Sequence, residues 1–397
     1  MKRSKYVIVT IIGLMIGICT NLAHPVTPYL VKTMGWPEIS FSIFFSSMSL
    51  GMLIFAPIWG SFGDKYGKKF VFLICSIGYS LGQIMFGLFD NLYLVIFARF
   101  FSGIFSGGLN VALVSYLSSS KDLRDFDKTR LIPWALSFQL VGNSFGSFLG
   151  GLMGDYFSRL NLVLYAQALI LTTCGIIMFF LFRLDDEDLS FKANKKSFIY
   201  NLKNVKNIGF WNIIFLICLT LFSIVFTNAT RYLDYYYSDI GRTTSELGLL
   251  NLTIGLSTLF CNVLITPFIL KRLKPVLSII LAGVIGSVTL FVTFMFKNEA
   301  LLYMIYSTFL VFMATKAIIE SASVTYISRE SENKGVILGV RQSFYSLGAV
   351  IGPILGGLIY YNYEIENRNR LFFICAFVCL VSTLILSIMF IIKRRRS

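Results

Sequence analysis

The chain has 397 residues, 56% of them hydrophobic and 14% charged, with 39 phenylalanines and a formal charge of +15. Its mean hydropathy is +0.74, which excludes a soluble globular enzyme, because one core facing water cannot absorb so much apolar surface. The basic residues fall in short clusters between long apolar runs, so they read as membrane topology rather than as a nucleic-acid surface.

Apolar runs of about 18 residues or more are long enough to cross, as helices, a hydrocarbon layer about 30 Å thick. Twelve are expected, at residues 6–32, 39–62, 70–90, 92–118, 131–155, 160–183, 210–233, 244–270, 275–296, 300–327, 337–361 and 371–392. The opening MKRSK resembles the start of a signal peptide. The apolar run behind it continues past Leu22 without a small-residue cleavage site, so an uncleaved first span is expected. The longest polar stretch, Arg183 to Gly209, contains DDED, KANKK and KNVKN. It divides the chain into an N-terminal six-helix bundle (1–183), a cytoplasmic linker (184–209) and a C-terminal six-helix bundle (210–397).

Lys and Arg are distributed unevenly between alternate loops. With the N-terminus in the cytoplasm, 26 fall on the cytoplasmic side and 7 on the other, leaving Arg99 and Lys316 inside spans. Both termini are therefore expected in the cytoplasm. The seven cysteines lie in apolar stretches without a CxxC pair or a histidine cluster, so they read as small core hydrophobes and no metal site is expected. No GxxxxGK[ST] loop is present, so direct drive by ATP is not expected, and no organic cofactor is implied.

An internal repeat relates the fifth and eleventh spans. Gly146-Ser-Phe-Leu-Gly150-Gly151-Leu aligns with Gly352-Pro353-Ile-Leu-Gly356-Gly357-Leu, and Gly142 and Gly348 extend the match. Small residues four apart let helices approach backbone to backbone, and Pro353 is tolerable where neighbours satisfy the freed carbonyl. Between the second and third spans lies Gly60-Ser-Phe-Gly63-Asp64-Lys65-Tyr66-Gly67-Lys68-Lys69. Gly60 and Gly63 permit close helix approach, Gly67 a tight turn, and the charges a breakable cluster.

This decad resembles the signature loop of the major facilitator superfamily, G-x-L-a-D-r-x-G-r-k, and the chain as a whole is similar to the family's 12-helix drug:proton antiporters. The resemblance implies an all-α integral membrane fold of twelve helices in two pseudo-symmetric six-helix bundles, moving around a midplane site. It also implies that Asp64 rests against a neighbouring helix and helps hold one conformation; by position it would face the start of the eleventh span, with Arg341 as partner. The glycines of the fifth span resemble the antiporter signature g-x-x-x-G-P-x-x-G-G, with Ser147 in place of the proline.

Several polar residues sit where lipid would otherwise be expected. Arg99, Ser102, Gly103, Ser106 and Asn110 share one face of the fourth span, and an embedded arginine needs a polar cavity or partners. They resemble the family's R-x-x-q-G motif, associated with proton-coupled exchange. Lys316 and Glu320 are one turn apart in the tenth span; they either neutralise each other or let Glu320 take and release a coupling proton. Asn21, His24 and Pro28 in the first span resemble a segment common in drug exporters, and His24, the sole histidine, is either a packing residue or a second proton site. Asp234 follows Arg231 in a tyrosine-rich stretch, read as an interfacial aromatic belt or as the outer mouth of a cavity.

The expected function is secondary active transport: proton-coupled efflux of small amphipathic compounds or drugs across the cell membrane by alternating access. The expected partners are a small-molecule substrate, protons and the bilayer, with no nucleic acid and a monomeric chain. The alternative on the same fold is an importer or exchanger of an anionic metabolite held by Arg99 and Lys316. Nothing in the sequence supports catalysis.

Overall fold

The computed structural model describes residues 2–119, 125–181, 209–329 and 334–396. Every regular element among them is helical. In chain order these are α1 (Lys2–Asn21), α2 (Thr27–Thr33), α3 (Ser40–Tyr66), α4 (Lys68–Leu88), α5 (Leu92–Ser119), α6 (Asp125–Tyr156), α7 (Asn161–Leu181) and α8 (Phe210–Asp239). Then follow α9 (Thr244–Arg272), which contains a π turn at Cys261–Ile265, and α10 (Pro275–Met295). In α11, Asn298–Met304 and Leu310–Arg329 are joined by a π turn at Ile305–Phe309; α12 is Lys334–Tyr360 and α13 is Arg370–Arg396.

Among the described residues, nine helices are long and apolar enough to cross a membrane: the expected third, fourth and sixth to twelfth spans. α3 and α6 run through the second and fifth expected spans without being among the nine. The first expected span is not one helix. The chain leaves α1 after Asn21 and resumes at Thr27, because Pro25 and Pro28 bring no backbone N–H to an α-helical ladder and Pro28 occupies the first turn of α2.

Contacts divide the chain into two compact units, one comprising Met1–Lys195 with Ile240–Gly255, the other Lys196–Asp239 with Leu256–Ser397. The expected linker, 184–209, lies outside the described residues apart from Gly209. In the first unit α1 packs on α6, α3 on α5, and α4 on both α5 and α7. Ile12, Ile16, Val71, Phe72, Leu109 and Leu171 are among the residues of its closed apolar core. In the second unit α8 packs on α12 and α13, and α10 on α11 and α13. All seven cysteines are free and buried.

The helices are sided as lipid requires. α10 exposes Leu277, Leu281, Val284, Ile285, Val288, Phe291 and Met295 and turns Ser278, Ala282, Gly283, Gly286 and Ser287 inward. Water offers no reason for that inversion, whereas in a bilayer small and polar residues make the helix contacts and large apolar ones face the chains. The start of α9 is fixed locally. Glu246 accepts from the Thr243 N–H at 2.9 Å while Thr243 Oγ1 accepts from the Glu246 N–H at 3.2 Å, a reciprocal capping box.

Candidate functional site

The second unit brings Lys316 and Glu320 of α11 together with two residues of α12. Lys316 Nζ is 4.0 Å from Glu320 Oε1, and their side chains are 29% and 38% exposed. Tyr345 Oη donates to the same Oε1. Arg341 approaches from beside Tyr345, its Cζ 5.4 Å from the ring centroid. Its Nε and Nη2 donate to Ser323 Oγ at 3.1 and 2.8 Å, and Nη2 to the Glu320 carbonyl at 3.4 Å. Glu320 is therefore an accessible carboxylate held between a lysine and a phenol, with a guanidinium on its main-chain carbonyl. A pair with that exposure and spacing is weakly bound. The described partners of Arg341 all belong to its own unit; the side chains of Asp64 and Lys65, and with them the expected pairing of Asp64, lie outside the described residues.

At the end of α8, Asp239 accepts from Arg368 Nη1 at 2.6 Å, with the two side chains 1% and 7% exposed. Tyr360 Oη donates to the same carboxylate oxygen at 2.9 Å, and the Arg368 guanidinium lies 5.1 Å from the Tyr360 ring centroid. The reading of the neighbouring tyrosines as a lipid-interface belt is corrected here, since Tyr232, Tyr235 and Tyr237 are at most 2% exposed. Tyr232 finds an interior partner for its hydroxyl, which donates to the Pro353 carbonyl at 2.5 Å. Asp234 is buried in the same helix at 2% exposure.

In the first unit Arg99 of α5 is 5% exposed. Its guanidinium lies over two rings, 4.9 Å from the centroid of Phe86 and 5.7 Å from that of Phe45. Phe45 also meets His24, 5.4 Å between ring centroids, in the turn between α1 and α2. On the α4 face that carries Phe86 stand Tyr79 and Gln83, both buried. Gln167 Nε2 of α7 donates to the Cys19 carbonyl at 2.5 Å and to Tyr79 Oη at 3.4 Å. Asn21 ends α1 and reaches Thr20 Oγ1 at 3.4 Å. Ser102 bonds the Ala98 carbonyl at 2.9 Å, and the Asn110 side chain lies outside the described residues.

The glycine motifs lie at helix contacts. Gly67, at φ 98°, is the break between α3 and α4, a backbone state that favours glycine. Gly60 is the looser member of that loop, where a Cβ would meet only Val111 Cγ1 at 3.7 Å; at Gly63 it would meet Lys68 Cδ at 3.1 Å. Lys68 is 4% exposed, and Lys69 Nζ lies 4.7 Å from the Phe179 ring centroid. A side chain at Gly103 would overlap the Met48 backbone, and at Gly142, Gly146 and Gly150 the backbones of Leu14, Ile18 and Leu22. Gly151 faces the Thr244 carbonyl, beside which Asp155 accepts from Thr244 N–H, Thr244 Oγ1 and Ser245 N–H at 3.1, 2.6 and 3.2 Å. In α12, Gly348 meets Ser223 and Thr220, Gly352 meets Ile224, and Gly356 meets Asn228 and Tyr232; Gly357 is buried.

Tyr345, Asp239, Arg368, Gln83 and Asp155 escaped the sequence reading. For Gln83 a signal was present, an amide in mid-span; for the others the signal is a partner far along the chain.

Long apolar helices with inward polar residues, broken at a proline pair, define a multi-pass membrane protein, and the buried charges within them are those of a transporter, not an enzyme. A sequence model of the Major Facilitator Superfamily matches residues 9–340, and the chain belongs to that superfamily. Among its relatives, multidrug resistance protein MdtG of Escherichia coli O9:H4 (strain HS) is 24% identical over 366 residues, covering 87% of this chain and 85% of that protein. Multidrug resistance protein 2 of Bacillus subtilis (strain 168) is 21% identical over 348 residues, covering 86% and 84%. Among solved structures, the nucleoside transporter NupG superposes with a TM-score of 0.75 at 14% identity, over 97% of this chain and 98% of that one.

Proposed function

We propose that this chain is a proton-coupled exporter of small amphipathic compounds, drugs among them, acting by alternating access in the cell membrane with both termini cytoplasmic. Glu320 carries the coupling proton. The observation behind this reading is the accessible carboxylate itself, in contact with Tyr345 and 4.0 Å from Lys316. When Glu320 is charged it holds Lys316 and the phenol; when it is protonated the ion pair is lost and the bond from the phenol weakens, so protonation has a direct route to the packing of α11 against α12. The names of the two multidrug resistance relatives support the substrate class. The importer of anionic metabolites is the weaker reading, because it asks Lys316 to hold the substrate while Lys316 faces Glu320.

The test uses purified protein in liposomes loaded with a pH-sensitive dye and challenged with a cationic dye. Wild type is expected to move protons against the compound, and Glu320→Gln to lose proton movement while retaining normal folding and compound binding. Unchanged proton-linked transport in Glu320→Gln refutes the assignment.

A further inference from the structure

One end of the second unit is strongly basic. α13 closes on Lys393-Arg394-Arg395-Arg396, and Lys271, Arg272 and Lys274 stand where α9 gives way to α10. The packing brings the two groups to the same place. α10 and α13 run antiparallel, with the Phe294 and Phe372 rings stacked at 3.6 Å and Cys379 Sγ donating to the Gly283 carbonyl at 3.5 Å. A Cβ on Gly283 would overlap Thr383 Oγ1. Carried from Gly283 back to Lys274, that register takes α13 from Thr383 on to Ile392, next to Lys393. Lys271, Arg272, Lys274 and Arg395 are exposed, and Lys393 Nζ reaches Tyr326 Oη at 3.3 Å.

The helices that carry these cations do not neutralise them. α10 and α13 contain no Asp or Glu, and α9 contains none after Glu246. The C-terminal ends of α9 and α13 each offer about half a negative charge, which leaves a surplus of about six. The adjoining surface is apolar: Phe268, Leu277, Leu281, Ile388 and Ile391 are all exposed within about two turns of the basic residues. The Arg272 guanidinium lies 4.0 Å from the Phe268 ring centroid, at the boundary between the two surfaces.

We infer that this end of the second unit is a seat for an anionic phospholipid. The basic residues hold its phosphodiester, and its acyl chains lie along the outward faces of α9, α10 and α13. A soluble phosphate would use the charge and leave the apolar half uncovered; a phospholipid covers both. The seat uses no residue of the proton path, so it stands or falls apart from the proposed function.

The experiment is native mass spectrometry of the purified full-length chain, stripped of lipid in a neutral detergent and titrated with phosphatidylglycerol or, as a zwitterionic control with the same acyl chains, phosphatidylcholine. The first phosphatidylglycerol adduct is expected to form at lower concentration than the first phosphatidylcholine adduct. Replacing Lys271→Gln, Arg272→Gln and Lys274→Gln together is expected to weaken it about a hundredfold, at about fivefold per cation. Lys2→Gln with Arg3→Gln and Lys5→Gln removes equal charge from the first unit and is expected to leave it unchanged. The inference is overturned if the two lipids bind alike, if the Lys2, Arg3, Lys5 variant loses as much as the Lys271, Arg272, Lys274 variant, or if glycerol 3-phosphate at the lipid's concentration displaces the adduct. Should the Lys271, Arg272, Lys274 variant not fold, an unaltered first adduct in the variant with Arg394→Gln, Arg395→Gln and Arg396→Gln overturns it.

Discussion

Gly146 and Gly352 occupy equivalent places in the internal repeat, yet alanine at the two is expected to behave differently. At Gly146 a Cβ would lie 2.8 Å from Ile18 Cα and 3.0 Å from its carbonyl carbon, with the carbonyl oxygen nearer still. All three are backbone atoms of α1, so relief requires the two helices to part by about 0.6 Å or more before 2.8 Å becomes ordinary contact. At Gly352 the nearest atoms are Ile224 Cα at 3.3 Å and its oxygen at 3.4 Å, which a shift of a few tenths of an ångström accommodates. Both sites are helix interiors, so each substitution gains propensity of up to about 1 kcal/mol, less at Gly352, whose Cβ would crowd the ring of Pro353 that follows it. That offset works against the expected order, so a lower midpoint for Gly146→Ala reports the steric cost there, about 1–3 kcal/mol for an overpacked contact. For a unit of this size that is about 2–4 °C of Tm per kcal/mol. The assay is thermal unfolding of the two single variants in the same detergent, with Gly352→Ala expected at or above the wild-type midpoint and Gly146→Ala several degrees below it. Equal midpoints would mean that α1 and α6 separate at no cost, and the close-packing argument for the whole Gly142, Gly146, Gly150 stripe would fail with them.

Arg368→Met strands the Asp239 carboxylate, 1% exposed, and is expected to cost about 3–5 kcal/mol; the double variant Asp239→Asn with Arg368→Met should recover most of it, which a double-mutant cycle by thermal unfolding measures. Asp155→Ala removes three hydrogen bonds from the start of α9, at about 1–2 kcal/mol. Hydrogen exchange in peptides covering 243–248 should accelerate, less so in Asp155→Asn, which keeps one acceptor oxygen. Tyr345→Phe keeps the ring and removes the donor to Glu320, so proton-coupled efflux should fall without loss of expression; full activity would remove Tyr345 from the proton path.

The spans were readable because apolar length is a property of contiguous sequence, and their sidedness because residues three and four apart share a face. The interruption of the first span was also written there, in Pro25 and Pro28, although apolar length concealed it. What could not be read is which faces meet. Glu320 and Tyr345 are 25 residues apart and Asp239 and Arg368 are 129 apart, and nothing local marks either pair. Tyr232 of α8 and Tyr360 of α12 show the same limit from another side: a tyrosine towards the end of a span suits an interface and an interior alike, and the deciding factor is the acceptor opposite, here Pro353 and Asp239. The repeat illustrates a subtler failure, since equal motifs at Gly146 and Gly352 face a backbone at very different distances.

The two units treat buried charge in opposite ways. In the second, Arg368 has Asp239, Lys316 has Glu320, and Arg341 is spent on Ser323 and the Glu320 carbonyl. In the first, Arg99 has aromatic faces, and α1, α4, α5 and α7 carry no carboxylate. A proton can therefore change the charge balance of the second unit at Glu320. In the first unit His24 meets Phe45, over whose ring the Arg99 guanidinium also lies. If protonation at Glu320 drives the cycle, neutralising Glu320 should remove the proton dependence of transport while leaving Arg99 and its aromatic contacts in the first unit in place.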